Sequence, residues 1–171
     1  LITGGVGFVG SNTAIYFANK GWSIYLIDNL SRKGTKNNLN NLKKNIKFKF
    51  YKVDVSNFSL ISNLIKKIKP TLLIHCAGQV AVTTSVLDPR KDLNSNVLGT
   101  FNVLESIRLY SAKTKLINMS TNKVYGKIYD KKITESSKRY NFLGKIKNVD
   151  EKCPLDFYSP YGCSKGTADQ Y

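Results

Sequence analysis

Leu1-Ile2-Thr3-Gly4-Gly5-Val6-Gly7-Phe8-Val9-Gly10 opens the sequence and decides its fold. A short apolar run leads directly into a loop with four glycines, and a segment of helical pattern follows. This is a strand turning sharply into a helix. Glycine is required where φ is positive or where another group must lie against the backbone. What approaches a helix N-terminus is commonly an anion, drawn by unpaired N–H groups and by the helix dipole. The spacing fits Gly-x-Gly-x-x-Gly (Gly5, Gly7, Gly10) and also Gly-x-x-Gly-x-x-Gly (Gly4, Gly7, Gly10). By itself it serves a dinucleotide site and a plain tight turn equally well, so the residues downstream must separate the two.

A helix is expected over 10–20, closed by Gly21, and a strand over 23–27 that ends at Asp28. Asp28 stands where the second strand of a dinucleotide fold ends, and a carboxylate there accepts both hydroxyls of a ribose. It repels a 2′-phosphate, which favours NAD over NADP, while the basic pair Arg32 and Lys33 argues the other way. Residues 34–45 read as a polar connection with about one helical turn. Residues 47–53 alternate charged and apolar side chains as a strand does, ending in Val53-Asp54-Val55. Asp54 there serves either an adenine amino group or the N-cap of the next helix. A helix over 60–68, a strand over 71–75, the small-residue loop Cys76-Ala77-Gly78-Gln79 and a helical region over 88–110 follow. A strand over 115–119, a long polar loop over 127–156 and a helix from 162 to 171 complete the chain. Strands and helices alternate with crossovers long enough for parallel pairing, which makes a doubly wound parallel α/β sheet. Ligands of such sheets bind off the carboxyl ends of the strands, where the glycine loop, Asp28, Asp54, Gly78 and Ser120 collect.

At 171 residues the chain is one domain's worth. It contains no apolar run near the ~20 residues of a membrane span and no signal-peptide pattern, so a cytoplasmic protein without membrane contact is expected. The only methionine is Met119, the first strand starts clipped and the last helix stops at Tyr171. The expectation is a longer protein, truncated here at both ends. The net charge of +16 comes mostly from scattered lysines, with arginine only at positions 32, 90, 108 and 139. Arginine is the residue suited to bidentate phosphate and base contacts, so nucleic acid is not an expected partner. Cys76, Cys153 and Cys163 form no C-x-x-C pair and His75 stands alone, so reduced thiols, a core histidine and no metal are expected.

The chemistry-bearing residues lie late. Ser120-Thr121-Asn122-Lys123-Val124-Tyr125-Gly126 follows the fifth strand, and Ser159-Pro160-Tyr161-Gly162-Cys163-Ser164-Lys165 comes forty residues past Thr121. Tyr161 and Lys165 are spaced i, i+4 and share one face of a helix. A neighbouring ammonium favours the phenolate form of a tyrosine, which then takes a proton from an alcohol held by a threonine hydroxyl. About one Tyr-x-x-x-Lys pair arises by chance in so tyrosine- and lysine-rich a chain, and Tyr16–Lys20 is such a pair. The later pair counts because the glycine loop, the acid and the Ser-Thr strand end precede it in that order.

On these motifs the whole chain resembles the extended short-chain dehydrogenase/reductases that act on nucleotide sugars. The resemblance implies a Rossmann domain over 1–171, with the substrate-gripping C-terminal lobe absent and these residues inactive on their own. It implies NAD bound by Gly4, Gly7, Phe8, Val9 and Gly10, by Asp28, Asn29, Ser31 and Arg32, and by Asp54 and Val55. It adds Ala77, Gly78, Gln79, Asn96, Tyr161 and Lys165 to the cofactor contacts, and Thr121, Tyr161 and Lys165 as the catalytic set. Four stretches look like family members that epimerise a CDP-linked 3,6-dideoxyhexose at C2. They are residues 28–34, residues 77–81 with Thr83-Thr84-Ser85, residues 120–126 and residues 155–166. Related dehydratases follow the catalytic threonine with an Asp-Glu pair, where this sequence has Asn122 and Lys123. What is implied is therefore an isomerase of nucleotide-sugar metabolism, of the kind that supplies O-antigen sugars, and a homo-oligomer. A UDP-sugar 4-epimerase or a related sugar-nucleotide dehydratase is the alternative within the class, and a non-catalytic NAD-binding module the alternative outside it.

Overall fold

The computed structural model describes residues 1–126, 132–143 and 149–171. Five parallel strands form the central sheet in the order β3-β2-β1-β4-β5. They are β1 (Ile2–Thr3), β2 (Tyr25–Asp28), β3 (Lys49–Lys52), β4 (Leu72–His75) and β5 (Lys115–Asn118). The strand order reverses between β1 and β4, which makes their carboxyl ends the switch point of a doubly wound sheet. Leu26 and Ile74 face one core with Ile2, Val6, Ala14, Leu39 and Leu42, covered by α1 (Phe8–Asn19) and α2 (Thr35–Asn45). Ile27 and Leu73 face the opposite core with Val55, Ile61, Ile65 and Val103, covered by α3 (Phe58–Ile68) and α6 (Gly99–Tyr110). Alternate strand residues thus feed opposite layers, as a two-residue repeat demands.

Four expectations change. Residues 34–45 form a helix of 11 residues rather than one turn. Asparagine is a weak helix former, but Thr35, Leu39 and Leu42 lie on one buried stripe and tertiary packing outweighs propensity. The helical region 88–110 is preceded by a separate α4 (Val82–Leu87) and is itself divided. Asp88 caps α5 (Pro89–Leu93), a π turn follows over Asn94–Leu98, and α6 then runs on. The 127–156 loop, part of which falls outside the described residues, contains an antiparallel hairpin of β6 (Ile133–Glu135) and β7 (Tyr140–Phe142). The last helix, α7 (Pro160–Gln170), starts two residues early because Ser159 caps it and proline fits its first position. Among the described residues no helix is long and apolar enough to cross a membrane.

His75 is a core residue. Its Nδ1 lies 2.6 Å from Thr3 Oγ1 and its Nε2 3.1 Å from Thr100 Oγ1, a polar bridge across β1, β4 and α6. Burial, with the Lys165 charge adding to it, lowers its pKa to about 3. An unfolded chain therefore binds a proton at His75 below about pH 6.5 that the folded chain refuses. Stability from the neutral ring is complete above that pH and is lost as pH falls towards 3, by roughly 2 kcal/mol at pH 5. Urea denaturation at pH 7 and pH 5 should show this loss in the wild type and a shallower one in His75→Gln. An identical acid slope in both proteins would contradict it.

Candidate functional site

The glycine loop is shaped by contact as much as by turning. Gly4 has φ +62°, and a Cβ there would lie 2.7 Å from the Ala77 backbone nitrogen. A Cβ on Gly10 would lie 2.2 Å from the Gly4 carbonyl oxygen. The loop after β1 is therefore pressed against both the loop after β4 and the first turn of α1, and only glycine permits either contact. Asn38 on α2 donates to the Val6 carbonyl at 2.9 Å and holds the loop from below. α1 starts directly from this loop, with no side chain capping its N-terminus.

A cavity of about 410 Å³ lies along these strand ends, within the size range of small-ligand sites. Gly4, Gly7, Asp28, Asn29, Ser31, Arg32, Asp54, Val55, Ala77, Gly78 and Gln79 all line it, so eleven of the expected cofactor residues come together from four loops. Asp28 Oδ2 accepts the Val6 N–H at 3.3 Å and Oδ1 the Leu30 N–H at 2.8 Å. Each oxygen keeps a further lone pair for a donor in the cavity. Burial pushes this carboxyl above its usual range, against the two backbone donors and the Arg32 charge. Leu30 adopts φ 59°, a left-handed conformation costly for a leucine, and thereby aims its N–H at the carboxylate.

Asp54 behaves differently. Its Oδ2 accepts the Asn29 amide at 2.6 Å, and its Oδ1 accepts the Ser56 N–H and hydroxyl. Burial raises its pKa, but these three donors outweigh it and hold the carboxyl below the usual value. Asp54 is not the helix cap; Asn57 caps α3. The two acids and the stripped loop fit the adenosine end of a dinucleotide: acceptors at the end of β2, an acid beyond β3, and unpaired N–H groups for a pyrophosphate.

The six other expected cofactor residues, Phe8, Val9, Gly10, Asn96, Tyr161 and Lys165, lie outside the cavity wall. Phe8 is 84% exposed on the first turn of α1, Val9 is exposed beside it, and Gly10 packs on Gly4. Asn96 is buried in the π turn behind the wall, where its amide bonds both the N–H and the C=O of Gln79. Gln79 lines the cavity with its side-chain amide folded back on Ala81.

Tyr161 and Lys165 share the buried face of α7, each 7% exposed. The Lys165 ammonium donates to the Met119 carbonyl at the end of β5, two residues before Thr121. Burial lowers the Lys165 pKa, while Asp169, Cys76 and Asp92 pull it back up. Cys76 lines the cavity, so the ammonium sits within electrostatic reach of its wall. Thr121 accepts the Lys123 N–H and starts a 3-10 turn over Asn122–Tyr125, and Gly162 of α7 packs against the Lys123 carbonyl. The three expected catalytic residues are thus gathered at the junction of β5 and α7.

A family model described as GDP-mannose 4,6 dehydratase matches residues 1–171. The chain belongs to this family of NAD-dependent epimerases and dehydratases. It is 47% identical over its whole length to CDP-paratose 2-epimerase of Salmonella typhi, covering 51% of that protein. Among solved structures it resembles the UDP-Glc/GlcNAc 4-epimerase of Campylobacter jejuni, at TM-score 0.82 and 30% identity over 99% of this chain and 46% of that one. It also resembles UDP-glucose 4-epimerase of Bifidobacterium longum in complex with NAD+ and UDP, at TM-score 0.80 and 27% identity, with 99% and 46% covered. The chain spans about half the length of the relatives it matches.

Thr84, Lys91 and Ser95, to which the sequence assigns no site role, also line the cavity from α4, α5 and the π turn. Ser85, which follows Thr84 in the Thr83-Thr84-Ser85 stretch, accepts the Tyr161 N–H on its hydroxyl at 3.1 Å across 76 residues. No local spacing marks these positions. Gly10→Ala should cost roughly 1–3 kcal/mol, because the added Cβ forces the Gly4 carbonyl to move. Urea denaturation and dinucleotide titration should both register the change; a variant matching wild type in both would show that the loop is not confined.

Proposed function

We propose that the protein carrying this chain is an NAD-dependent nucleotide-sugar epimerase that inverts C2 of a CDP-linked 3,6-dideoxyhexose, as CDP-paratose 2-epimerase does. What supports the proposal is the docking of α7 on the end of β5, where Lys165 bonds the Met119 carbonyl two residues before Thr121 and Tyr161 shares its buried helix face. The turn after Thr121 supplies Asn122 and Lys123. An amide and an ammonium do not replace the carboxylate acid and base that water elimination from a sugar requires, whereas epimerisation by transient oxidation needs neither. The 47% identity to a CDP-paratose 2-epimerase supports the same choice.

In this scheme Asp28 takes the ribose hydroxyls of the adenosine, and Asp54 with Asn29 borders the adenine. Gly4 and Gly7 let the pyrophosphate lie against the start of α1. Bound NAD supplies a hydride acceptor that returns the same hydride, chemistry that no side chain provides. Thr121 holds the C2 hydroxyl by a hydrogen bond, and Tyr161 takes its proton as the C2–H bond breaks. Lys165, fixed by the Met119 carbonyl, holds its charge on the same buried helix face as Tyr161. The 2-keto sugar turns to present its other face, and Tyr161 gives the proton back. Nothing is consumed, so the cofactor stays bound through many turnovers. The intact enzyme is proposed to be a homo-oligomer. The two solved relatives favour one second reading, since C4 epimerisation of a UDP-sugar uses the same side chains.

The intact protein should release NAD on heating and interconvert CDP-paratose and CDP-tyvelose without added cofactor. An empty protein that consumes NAD in step with product would overturn the epimerase proposal, and activity on UDP-glucose alone would replace it by the 4-epimerase. Tyr161→Phe should lower turnover by ~10³-fold while NAD remains bound. Turnover within threefold of wild type would remove Tyr161 as the base.

A further inference from the structure

Behind the cavity wall lies a buried polar cluster that the chemistry above does not use. Asp92, on α5, is 1% exposed. Its Oδ1 accepts the Gln79 side-chain amide at 3.0 Å and the Asn96 side-chain amide at 3.2 Å. Its Oδ2 has no hydrogen-bond partner among the described residues. Burying a carboxylate with one oxygen unpaired costs free energy that an apolar side chain of similar volume does not. Such a group asks for a reason beyond packing.

The bonds around Asp92 supply one. The Gln79 amide closes a small turn on Ala81, accepting its N–H and donating to its C=O at 2.7 Å, and the remaining N–H goes to Asp92. Asn96 Oδ1 accepts the Gln79 backbone N–H at 2.9 Å, and its amide donates to the Gln79 carbonyl at 3.1 Å and to Ser164 Oγ at 3.0 Å. Ser164 in turn donates to the Tyr161 carbonyl at 3.1 Å and stands between Tyr161 and Lys165 on α7. One carboxylate oxygen therefore holds both the Gln79 amide of the cavity wall and the Asn96 amide that reaches the helix carrying Tyr161 and Lys165. We propose that Asp92 is a positioning residue, locking the Gln79–Ala81 turn to the helix that carries Tyr161 and Lys165. Its place in the reaction rests on the roles given above to those two residues. A displacement of about 1 Å between such elements is enough to cost ~10²-fold in rate.

Two variants of the intact protein separate bonding from charge. Asp92→Asn keeps the Oδ1 acceptor and removes the charge; Asp92→Leu keeps the volume and removes both bonds. Asp92→Leu should lower kcat by at least about tenfold with KM for the nucleotide sugar within about threefold, and Asp92→Asn should restore kcat to within about threefold of wild type. Amide hydrogen exchange supplies a readout independent of turnover: the Gln79 and Ala81 N–H groups should lose at least about tenfold protection in the leucine variant and keep it in the asparagine variant. Wild-type kcat and protection in Asp92→Leu would overturn the proposal, as would equal loss in both variants. If Asp92→Leu does not fold, Gln79→Leu breaks the same bond from the cavity side and must show the same two losses. A protein that turns over no nucleotide sugar would defeat the proposed function, while the exchange measurement would still judge Asp92.

Discussion

The meeting of two backbones at the switch point is the constraint on which the rest of this structure depends. Where β1 ends, Gly4 lies so close to Ala77 at the end of β4 that no side chain fits between them. Gly10 makes the same demand one helical turn later. Because these contacts draw the β1 and β4 loops together, the ends of β2 and β3 are left to wall one continuous cavity with them. Asp28, Asp54, Ala77 and Gly78 face the same space for that reason. The apolar cores above and below the sheet hold the strands in register, but it is the missing side chains that make room for a ligand.

A second theme is the polar character of what lies beneath the site. Thr3, His75 and Thr100 link β1, β4 and α6, while Asp92, Asn96 and Ser164 link α5, the π turn and α7. A π turn carries one more residue per hydrogen-bonded ring than an α-helix, and such insertions cluster at functional sites. Here it presents Asn96 to the cavity wall and α7 together. Apolar packing tolerates small slippage, whereas directional hydrogen bonds in a low dielectric specify one arrangement. The cost is a set of buried groups that must all be satisfied, and among the described residues Asp92 Oδ2 and Asn118 Oδ1 are where that accounting is incomplete.

The electrostatics divide the acids by task. Asp28 is desolvated and only partly compensated, while Asp54 is wrapped by three donors, so their pKa values move in opposite directions. Lys165 loses hydration but gains nearby negative groups and a fixed carbonyl partner. The family to which the chain belongs includes both epimerases and dehydratases, and the side chains after Thr121 bear on that distinction more directly than the shared frame does.

Much of this was legible in the residues themselves. Period-two and helical patterns gave the five strands and most helices, and the glycine spacing followed by Asp28 marked residues that line the cavity. Glycine tolerance and strand-end chemistry are local properties, so a linear reading finds them. What it missed was decided by partners far away in sequence. The asparagine-rich α2 is helical because Leu39 and Leu42 are buried against the sheet. Cavity-lining Lys91 and Ser95 carry no motif of their own. The tie from Ser85 to Tyr161 spans 76 residues, and that from Asn96 to Ser164 spans 68. Residue patterns along the chain specify the sheet, the glycine loop and the side chains available for chemistry. Which of them meet is settled by folding, because a hydrogen bond between distant side chains depends on a separation in space that no spacing along the chain encodes.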